Sequence, residues 1–323
     1  MQEGSVMASV IVVGSYNQDH VWTSDALPAP GATRLGRYAS GPGGKGFNQA
    51  VASARVGAAT VFITALGEDA AADSARALAV DDGIGLRAEI HAALPSGTAG
   101  IFVDDAGRNV IVVAPGANAA LSADFIGQQR DAFAQSAVVL AQLEVNSDAV
   151  LAALQAGRAA GALAVLNPAP ANAPTSDALL AAADILTPNE TEFAAMLARH
   201  AGVAVDADTL ADLPPPALHA LCRQLAPGAT VVITLGAGGV FVSHRDGDLR
   251  GDADAFYRQH CTPVQAVDTT GAGDAFSGAL AARLAQWPRD TPFAAAVSFA
   301  NAYAGWSTER PGGAASMRRV ATP

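Results

Sequence analysis

The strongest constraint on the fold is a regular alternation of apolar runs with helix-like segments along most of the chain. Short strand-like runs recur at Val10–Val13, Val61–Ala65, Val138–Leu143, Ala164–Leu166, Asp184–Leu186 and Val231–Leu235. Apolar residues at helical spacing occur at Phe47–Arg55, Ala70–Val80, Ser122–Phe133, Asp148–Ala160, Asn189–Ala198, Pro216–Gln224, Ala275–Leu284 and Phe293–Trp306. Because the strand-like runs lack polar alternation, they predict an α/β fold in which helices cover both faces of a mostly parallel central sheet, a three-layer α/β/α arrangement.

Two segments interrupt this alternation. They are Trp22–Ser40 and Gly97–Val113, and the second has two β-prone runs around Asp105–Gly107, which is typical of a hairpin. Half of the 323 residues are hydrophobic, enough for the core of one large domain. We therefore expect a single domain over residues 1–323, with a small β lid formed by about 16–41 and 97–114.

Charge and cysteine content limit the partners and the compartment. The net charge of −11 argues against nucleic acid or an anionic membrane as a partner, since both need basic surfaces. No window is long and apolar enough for a membrane span, and MQEGSVMASVIVVGS lacks the basic start of a signal peptide. Cys222 and Cys261 have no metal-ligand spacing, so we expect reduced thiols in a cytoplasmic protein.

Polar residues gather where the predicted strands end. They occur at 15–19, at Gln142 and Glu144, at 167–168, at 188–190 and at 236–239. The carboxyl ends of parallel strands lie at one edge of a sheet, and ligands of open α/β sheets bind in the crevice outside that edge. The sequence therefore predicts a ligand site at this edge.

The stretch AVDTTGAGDAFSG, residues 266–278, predicts the chemistry of that site. Its threonines and glycines form a turn that leads into a helix, whose free N–H groups attract anions. We expect the amides of Gly271, Ala272 and Gly273 to cradle a transferring phosphoryl group. A carboxylate beside an anion is repelled unless it faces another group, so Asp274 is predicted to act as a base on a hydroxyl.

Three further glycine- or carboxamide-rich stretches each allow two interpretations. GPGGKGFNQAVA, residues 41–52, is either a glycine turn that caps a core helix or a polyol site. TPNETE, residues 187–192, is either a helix start with acidic residues or an oxygen-rich face for hydrated Mg²⁺. The glycines that follow Thr234 form either a strand-to-strand turn or a shelf for a purine and its ribose.

Taken together, the motifs resemble those of the PfkB-type carbohydrate kinases, the ribokinase family. GSYNQDH, GGKGFNQAV, NPAP, TPNETE, VVITLGAGG and AVDTTGAGDAFSG stand in the family's order, and the resemblance runs from about Val10 to about Ser316. It implies ATP-dependent phosphorylation of a primary hydroxyl, the 5-hydroxyl if the sugar is D-ribose. Phe47 and Tyr16 depart from the common pattern, and Phe47 either faces the sugar or points into the core.

The resemblance also assigns roles to individual residues. It implies that the sugar is held by Asn17, Asp19, Gly44, Lys45, Asn48, Glu144 and Asp274. It implies that ATP contacts Asn189, Thr234, Gly236, Gly239, Gly273 and Asn301, and that Glu192 and Asn189 order the waters of Mg²⁺.

A monovalent cation and a second copy of the chain complete the expectations. By similarity, K⁺ is bound by Asp268, Thr270, Ser307, Arg310, Gly312 and Ser316, although the stretch after Trp306 is also a plausible helix C-cap. The family implies a homodimer joined through the lids. Two other interpretations stay open, a kinase of the same family for another sugar or a nucleoside, and a non-catalytic sensor on the same fold.

Overall fold

The structure is a computed structural model that describes residues 10–320. Residues 1–9, which contain part of the stretch behind the signal-peptide expectation, and residues 321–323 lie outside the described part. The strands are β1 (Val10–Val13), β2 (Asn17–Ser24), β3 (Arg37–Gly43), β4 (Thr60–Leu66), β5 (Gly85–Ile90), β6 (Gly97–Asp104), β7 (Asn109–Ala114), β8 (Val138–Ala141), β9 (Leu163–Leu166), β10 (Ile185–Leu186), β11 (Thr230–Thr234), β12 (Val240–Ser243) and β13 (Phe256–Gln259). The α-helices are α1 (Lys45–Arg55), α2 (Ala70–Asp81), α3 (Ala123–Gly127), α4 (Arg130–Phe133), α5 (Ser147–Ala159), α6 (Asp177–Ala182), α7 (Glu190–Met196), α8 (Pro215–Leu225), α9 (Ala272–Gln286) and α10 (Phe293–Ser307).

The central sheet has nine strands in the order β13-β12-β11-β10-β9-β8-β1-β4-β5. Its pairs are parallel except at one edge, where β12 runs antiparallel to β11 and to β13. Parallel neighbours bring their carboxyl ends to the same side of the molecule. The predicted mostly parallel sheet is therefore confirmed.

Both faces of the sheet are buried, which explains the continuous apolar runs. In β1, Ile11 and Val13 lie in a core that includes residues of α5 and α8, whereas Val10 and Val12 lie in a second core with residues of α1, α9 and α10. Since side chains alternate across a strand, a strand covered on both sides needs an apolar residue at every position. The three layers predicted from the sequence are thus present.

A second, four-stranded sheet has the order β3-β2-β6-β7. The hairpin predicted around Asp105–Gly107 is confirmed, because β6 and β7 pair antiparallel on either side of it. Strand β2 pairs with β3 and β6 and begins at Asn17, directly after the end of β1. This small sheet therefore places polar residues of β2 beside the carboxyl edge of the central sheet.

One local expectation was wrong, and three short strands were missed. The stretch 122–133, predicted as one helix, is divided into α3 and α4. The division falls after Gly127, a poor helix former, where Gln129 N–H donates to the Ile126 carbonyl in a tight turn. The short strands β5, β12 and β13 were not predicted, because their segments lack a long apolar run.

Among residues 10–320, no helix is both long and apolar enough to cross a membrane.

Candidate active site

Residues from several strand ends and from the N-termini of α1 and α9 line a cavity of about 140 Å³ at the carboxyl edge of the central sheet. Its lining includes Lys45, Asn167, Thr187, Asn189, Glu192, Thr234, Gly271, Ala272, Gly273 and Asp274. A cavity thus lies where the sequence predicted a ligand site, at the strand ends. The lining brings together residues assigned to the sugar, to ATP and to catalysis.

Helices α1 and α9, whose N-terminal residues line this cavity, pack closely against each other. A Cβ on Gly278 would lie 2.4 Å from the Gln49 carbonyl oxygen and 2.6 Å from the Ala52 Cβ. Any side chain at that position would therefore force the helices apart. Their contact allows side chains from the first turn of α1 to reach the first turn of α9.

Asp274 is buried in the first turn of α9, and both of its carboxylate oxygens are hydrogen-bonded. Asn48 Nδ2 donates to Oδ2 at 2.9 Å, and Gln49 Nε2 donates to Oδ1 at 2.9 Å. Burial raises the pKa of Asp274, while the charge of Lys45 and the two amide donors oppose that rise. A buried carboxylate that accepts hydrogen bonds only from amides is suited to take a proton from a ligand hydroxyl.

Lys45 is the cation of the cavity. Burial disfavours its ammonium, but the carboxylates of Asp274, Glu144 and Glu192 together hold the pKa of Lys45 above its ordinary value. Glu144 is fixed in turn, since its Oε2 accepts from the Lys45 backbone N–H at 3.0 Å and from Ser15 Oγ at 2.6 Å. Lys45 is therefore charged and placed to attract an anion.

The loop before α9 presents open backbone to the cavity. Gly271 has φ of 75°, a left-handed conformation that favours glycine. No atom lies within 4 Å of the point where a side chain on Gly273 would begin. The Ala272 N–H donates to the Thr269 carbonyl at 3.2 Å, whereas no described group accepts from the amides of Gly271, Gly273 and Asp274. Gly271, Gly273 and Asp274 therefore have the amides of this turn that lack an acceptor in the described chain, whereas the Ala272 amide, predicted to join them, is already engaged.

The carboxylate of Asp19, on β2, has no hydrogen-bond donor among the described residues. Burial and the charge of Glu144 raise its pKa to about 7. The neighbouring Asn17 is engaged, because its Oδ1 accepts from Asn118 Nδ2 at 2.9 Å. A ligand with hydroxyl donors would supply what Asp19 lacks.

On the opposite side of the cavity, Asn189 and Glu192 form a capping box at the start of α7. Asn189 Oδ1 accepts from the Glu192 N–H at 2.8 Å, and Glu192 Oε2 accepts from the Asn189 N–H at 2.9 Å. The interpretation of TPNETE as a helix start is therefore correct, because Asn189 and Glu192 cap α7. The cap leaves Oε1 of Glu192 without a donor in the described chain.

The other predicted nucleotide residues lie along β11 and α10. Thr234 forms an isolated bridge with Asn189 at the cavity wall, and the turn from Gly236 to Gly239 follows it directly. Asn301 is buried on α10, where its Nδ2 donates to the His260 carbonyl at 3.1 Å. Asn301 thus holds the segment that leads from β13 towards the loop before α9.

Asp268 joins that loop to the segment after α10. Its Oδ1 accepts from the Thr270 N–H at 2.9 Å and its Oδ2 from the Gly312 N–H at 2.7 Å. Burial opposes ionisation, but these donors hold the pKa of Asp268 below its usual range. The hydroxyls of Ser307 and Ser316 instead donate to carbonyls three residues earlier in their own segments, and Arg310 forms no ion pair within residues 10–320.

The sequence did not predict two amide residues beneath Asp274, Gln49 and Asn167. Gln49 and Asn167 are hydrogen-bonded to each other at 3.0 Å, and Gln49 contacts Asp274 directly. Their positions in the NQA and NPA stretches were visible, but contacts across such long sequence separations were not.

Phe47 is 1% exposed and packs edge-on against Tyr16, so it belongs to the core and does not face a ligand.

A larger cavity, of about 410 Å³, lies at the opposite edge of the sheet beside Ala137 and Leu163, which precede or begin β8 and β9. Arg250, Arg283 and Trp287 are among its lining residues. None of the residues predicted to bind sugar, ATP or a metal lines it. The smaller cavity at the carboxyl edge is therefore the candidate active site.

Comparison with known proteins gives consistent matches. The model of the pfkB family carbohydrate kinases matches residues 7–319. A ribokinase from Haemophilus influenzae is 37% identical over 311 residues, covering 96% of this chain and 95% of that protein. A deoxyribokinase from Salmonella typhi is 31% identical over 276 residues, 84% of each. The structure of Arabidopsis thaliana ribokinase complexed with ribose and ATP has a TM-score of 0.82 and 27% identity, and the match covers 96% of both chains.

The fold and these matches define the class of the protein as a carbohydrate kinase, a phosphotransferase. More narrowly, the chain belongs to the pfkB family of carbohydrate kinases. The family resemblance drawn from the sequence motifs is confirmed.

The unpartnered carboxylate of Asp19 generates a test of the site's electrostatics. Its pKa of about 7 exceeds the ordinary value of 3.8, so between these pH values the folded state binds a proton that the unfolded state releases. The free energy of unfolding therefore falls as the pH rises from about 4 to about 7, and the full loss is present above pH 7. We expect Asp19→Asn to raise the melting temperature relative to the native chain more at pH 8 than at pH 5.

Thermal unfolding at both pH values measures this difference. Asp105→Asn, at the exposed hairpin turn of the same small sheet, controls for the loss of one negative charge. An Asp19→Asn effect of equal size at pH 5 and pH 8 would contradict the assignment.

Proposed function

We propose that the protein is a ribokinase that transfers the γ-phosphoryl group of ATP to the 5-hydroxyl of D-ribose. The observation that carries this proposal is the buried, doubly hydrogen-bonded Asp274 next to the free amides of the loop before α9. The ribokinase relative at 37% identity and the ribokinase structure complexed with ribose and ATP support the choice of substrates.

In the proposed reaction Asp274 accepts the proton of the sugar hydroxyl as the oxygen attacks the γ-phosphorus. The bond between the γ-phosphorus and the bridging oxygen breaks, and ADP leaves. Charge that develops on the phosphoryl oxygens meets the unengaged N–H groups of Gly271, Gly273 and Asp274, which line the cavity together with Ala272. The carboxylate faces the sugar and the amides face the phosphate, so the negative charges of base and nucleotide stay apart.

We place the sugar between β2 and the start of α1, where it contacts Asn17, Asp19, Gly44, Lys45, Asn48, Glu144 and Asp274. The absence of a described donor to Asp19 supports this placement, because sugar hydroxyls both donate and accept. Asn48 already bridges Asp274 Oδ2 and the Ala314 N–H, so it positions the base as well as the sugar.

We place ATP along Asn189, Thr234, Gly236, Gly239, Gly273 and Asn301. No group of three or more acidic, histidine or cysteine residues within 10–320 could hold a metal. Mg²⁺ is usually bound by phosphates and waters with few protein ligands. Glu192, through its free Oε1, and Asn189 would orient those waters, and the ion would neutralise phosphate charge.

We assign K⁺ to Asp268, Thr270, Ser307, Arg310, Gly312 and Ser316. In support, Asp268 is an ionised, half-buried carboxylate that forms no ion pair within the described chain. Weakly hydrated cations bind to such carboxylates and to free carbonyls of turns. The ion would stabilise the loop before α9 without contacting the substrate.

We further propose that the small sheet is a lid, about 16–41 and 97–114, and that two copies of the single catalytic domain, 1–323, join through their lids. Strand β7 supports this, because Val110, Ile111 and Val112 are at least 51% exposed in an apolar row. Sedimentation equilibrium measures the resulting mass.

Two free cysteines, Cys222 and Cys261, favour a cytoplasmic location.

A second candidate is a kinase for another sugar, and the deoxyribokinase relative at 31% identity favours 2-deoxy-D-ribose among the alternatives. A coupled assay of ADP production over D-ribose, 2-deoxy-D-ribose, D-xylose, D-fructose and adenosine separates the two. We expect the highest kcat/KM with D-ribose and a 5-phosphate product by ³¹P NMR. A clearly higher kcat/KM with another acceptor would replace ribose in the proposal, and no turnover with any acceptor would indicate a sensor.

The K⁺ assignment has its own test. We expect the ribose-dependent rate to rise when tetramethylammonium is replaced by K⁺ at constant ionic strength, because the ion orders the loop that carries the anion-binding amides. Asp268→Asn keeps the shape of the side chain but removes its charge, and it should lose most of this response. An unchanged rate in exhaustively dialysed native enzyme would leave the segment as a helix C-cap only.

A further inference from the structure

A relay of buried amide side chains, formed by Gln142, Gln49 and Asn167, lies beneath Asp274. Gln142 Nε2 donates to Gln49 Oε1 at 2.5 Å. Gln49 Nε2 donates to Asp274 Oδ1 at 2.9 Å and to Asn167 Oδ1 at 3.0 Å. Asn167 Nδ2 completes the relay by donating to the Thr187 carbonyl at 2.7 Å.

The relay fixes which end of each amide faces Asp274. Because the Gln49 oxygen accepts from Gln142, its NH₂ group must point at Asp274 and Asn167, and both hydrogens are used. Gln49 and Gln142 are fully buried. The Gln142 amide lies close to Gly14, where a Cβ would come within 1.8 Å of Gln142 Oε1, so only glycine at that position leaves room for the relay.

We propose that Gln49 is a positioning residue for the phosphoryl transfer, which orients the Asp274 carboxylate while Gln142 holds Gln49 in the donating orientation. The proposal rests on the proposed role of Asp274 as base. Gln49 is suited to the task because a neutral amide stabilises a carboxylate without offering a competing acid.

The relay also connects the base to the nucleotide side of the cavity. It ends on the backbone carbonyl of Thr187, two residues before the cap residue Asn189. The orientation of Asp274 is thereby tied to the segment that we assign to ATP. A change in Gln49 should therefore affect the reacting complex more than the binding of either substrate alone.

The test compares Gln49→Met, which keeps the side-chain length and removes the donor, with the native enzyme. Loss of a donor to an ionised group should lower kcat about 10- to 100-fold, with the KM values for sugar and ATP changed by less than about threefold. Since Gln49 lowers the pKa of Asp274, the acid limb of the kcat–pH profile should move to higher pH. Gln142→Met should produce the same changes at smaller size.

Ser53→Ala is the matched control. Ser53 is buried on the same helix, and its hydroxyl hydrogen-bonds only to Thr60, at 3.0 Å, away from the cavity. We expect this variant to keep the native kcat–pH profile even if it unfolds at a lower temperature. A Gln49→Met enzyme whose profile matches that of Ser53→Ala would overturn the positioning role.

A measurement without turnover separates this inference from the proposed function. Titration of the Asp274 carboxyl carbon by ¹³C NMR should give a higher pKa in Gln49→Met than in the native chain. An unshifted titration contradicts the relay whether or not the protein phosphorylates ribose. Absence of ribose-dependent activity in the native enzyme, with the shift present, contradicts the substrate and leaves the relay supported.

Discussion

The pair of hydrogen bonds that α1 donates to the Asp274 carboxylate is the interaction on which the rest of the site depends. A carboxylate so deeply buried would be neutral without donors and a nearby cation. Asn48, Gln49 and Lys45 supply both from the first turn of one helix. That arrangement requires α1 and α9 to lie in direct contact, and Gly278 makes the contact possible.

The charges around the cavity explain what kind of ligand it can accept. Lys45 is surrounded by the carboxylates of Asp274, Glu144 and Glu192, so the protein alone provides more negative than positive charge there. A nucleotide adds further negative charge. The free amides of the loop before α9, and the cations that we assign to Glu192 and Asp268, balance that charge in the proposed complex.

The sequence predicted the order of the layers because strands buried on both faces, such as β1, must be apolar throughout. It also predicted that Asp274 follows a glycine turn, since that motif is local. It could not reveal that Gln49 and Asn167 contact each other beneath Asp274, because these contacts join distant parts of the chain. The break after Gly127 was missed because helical spacing continues across it.

Some motifs combine a structural role with a proposed role in ligand binding. The sequence alone therefore could not decide between the structural and the functional interpretation of these motifs. Asn189 and Glu192 cap α7 and also line the cavity. Asn48 ties the 313–314 segment to Asp274 and also borders the proposed sugar site.

The rate of a single turnover in Asp274→Asn tests the central claim most directly. Rapid-quench measurement with enzyme in excess over ATP, at saturating ribose, isolates phosphoryl transfer from product release. Loss of the base should slow that step about 10²- to 10⁴-fold, with the ATP dissociation constant changed by less than about threefold. A single-turnover rate within about threefold of the native rate would show that Asp274 is not the base.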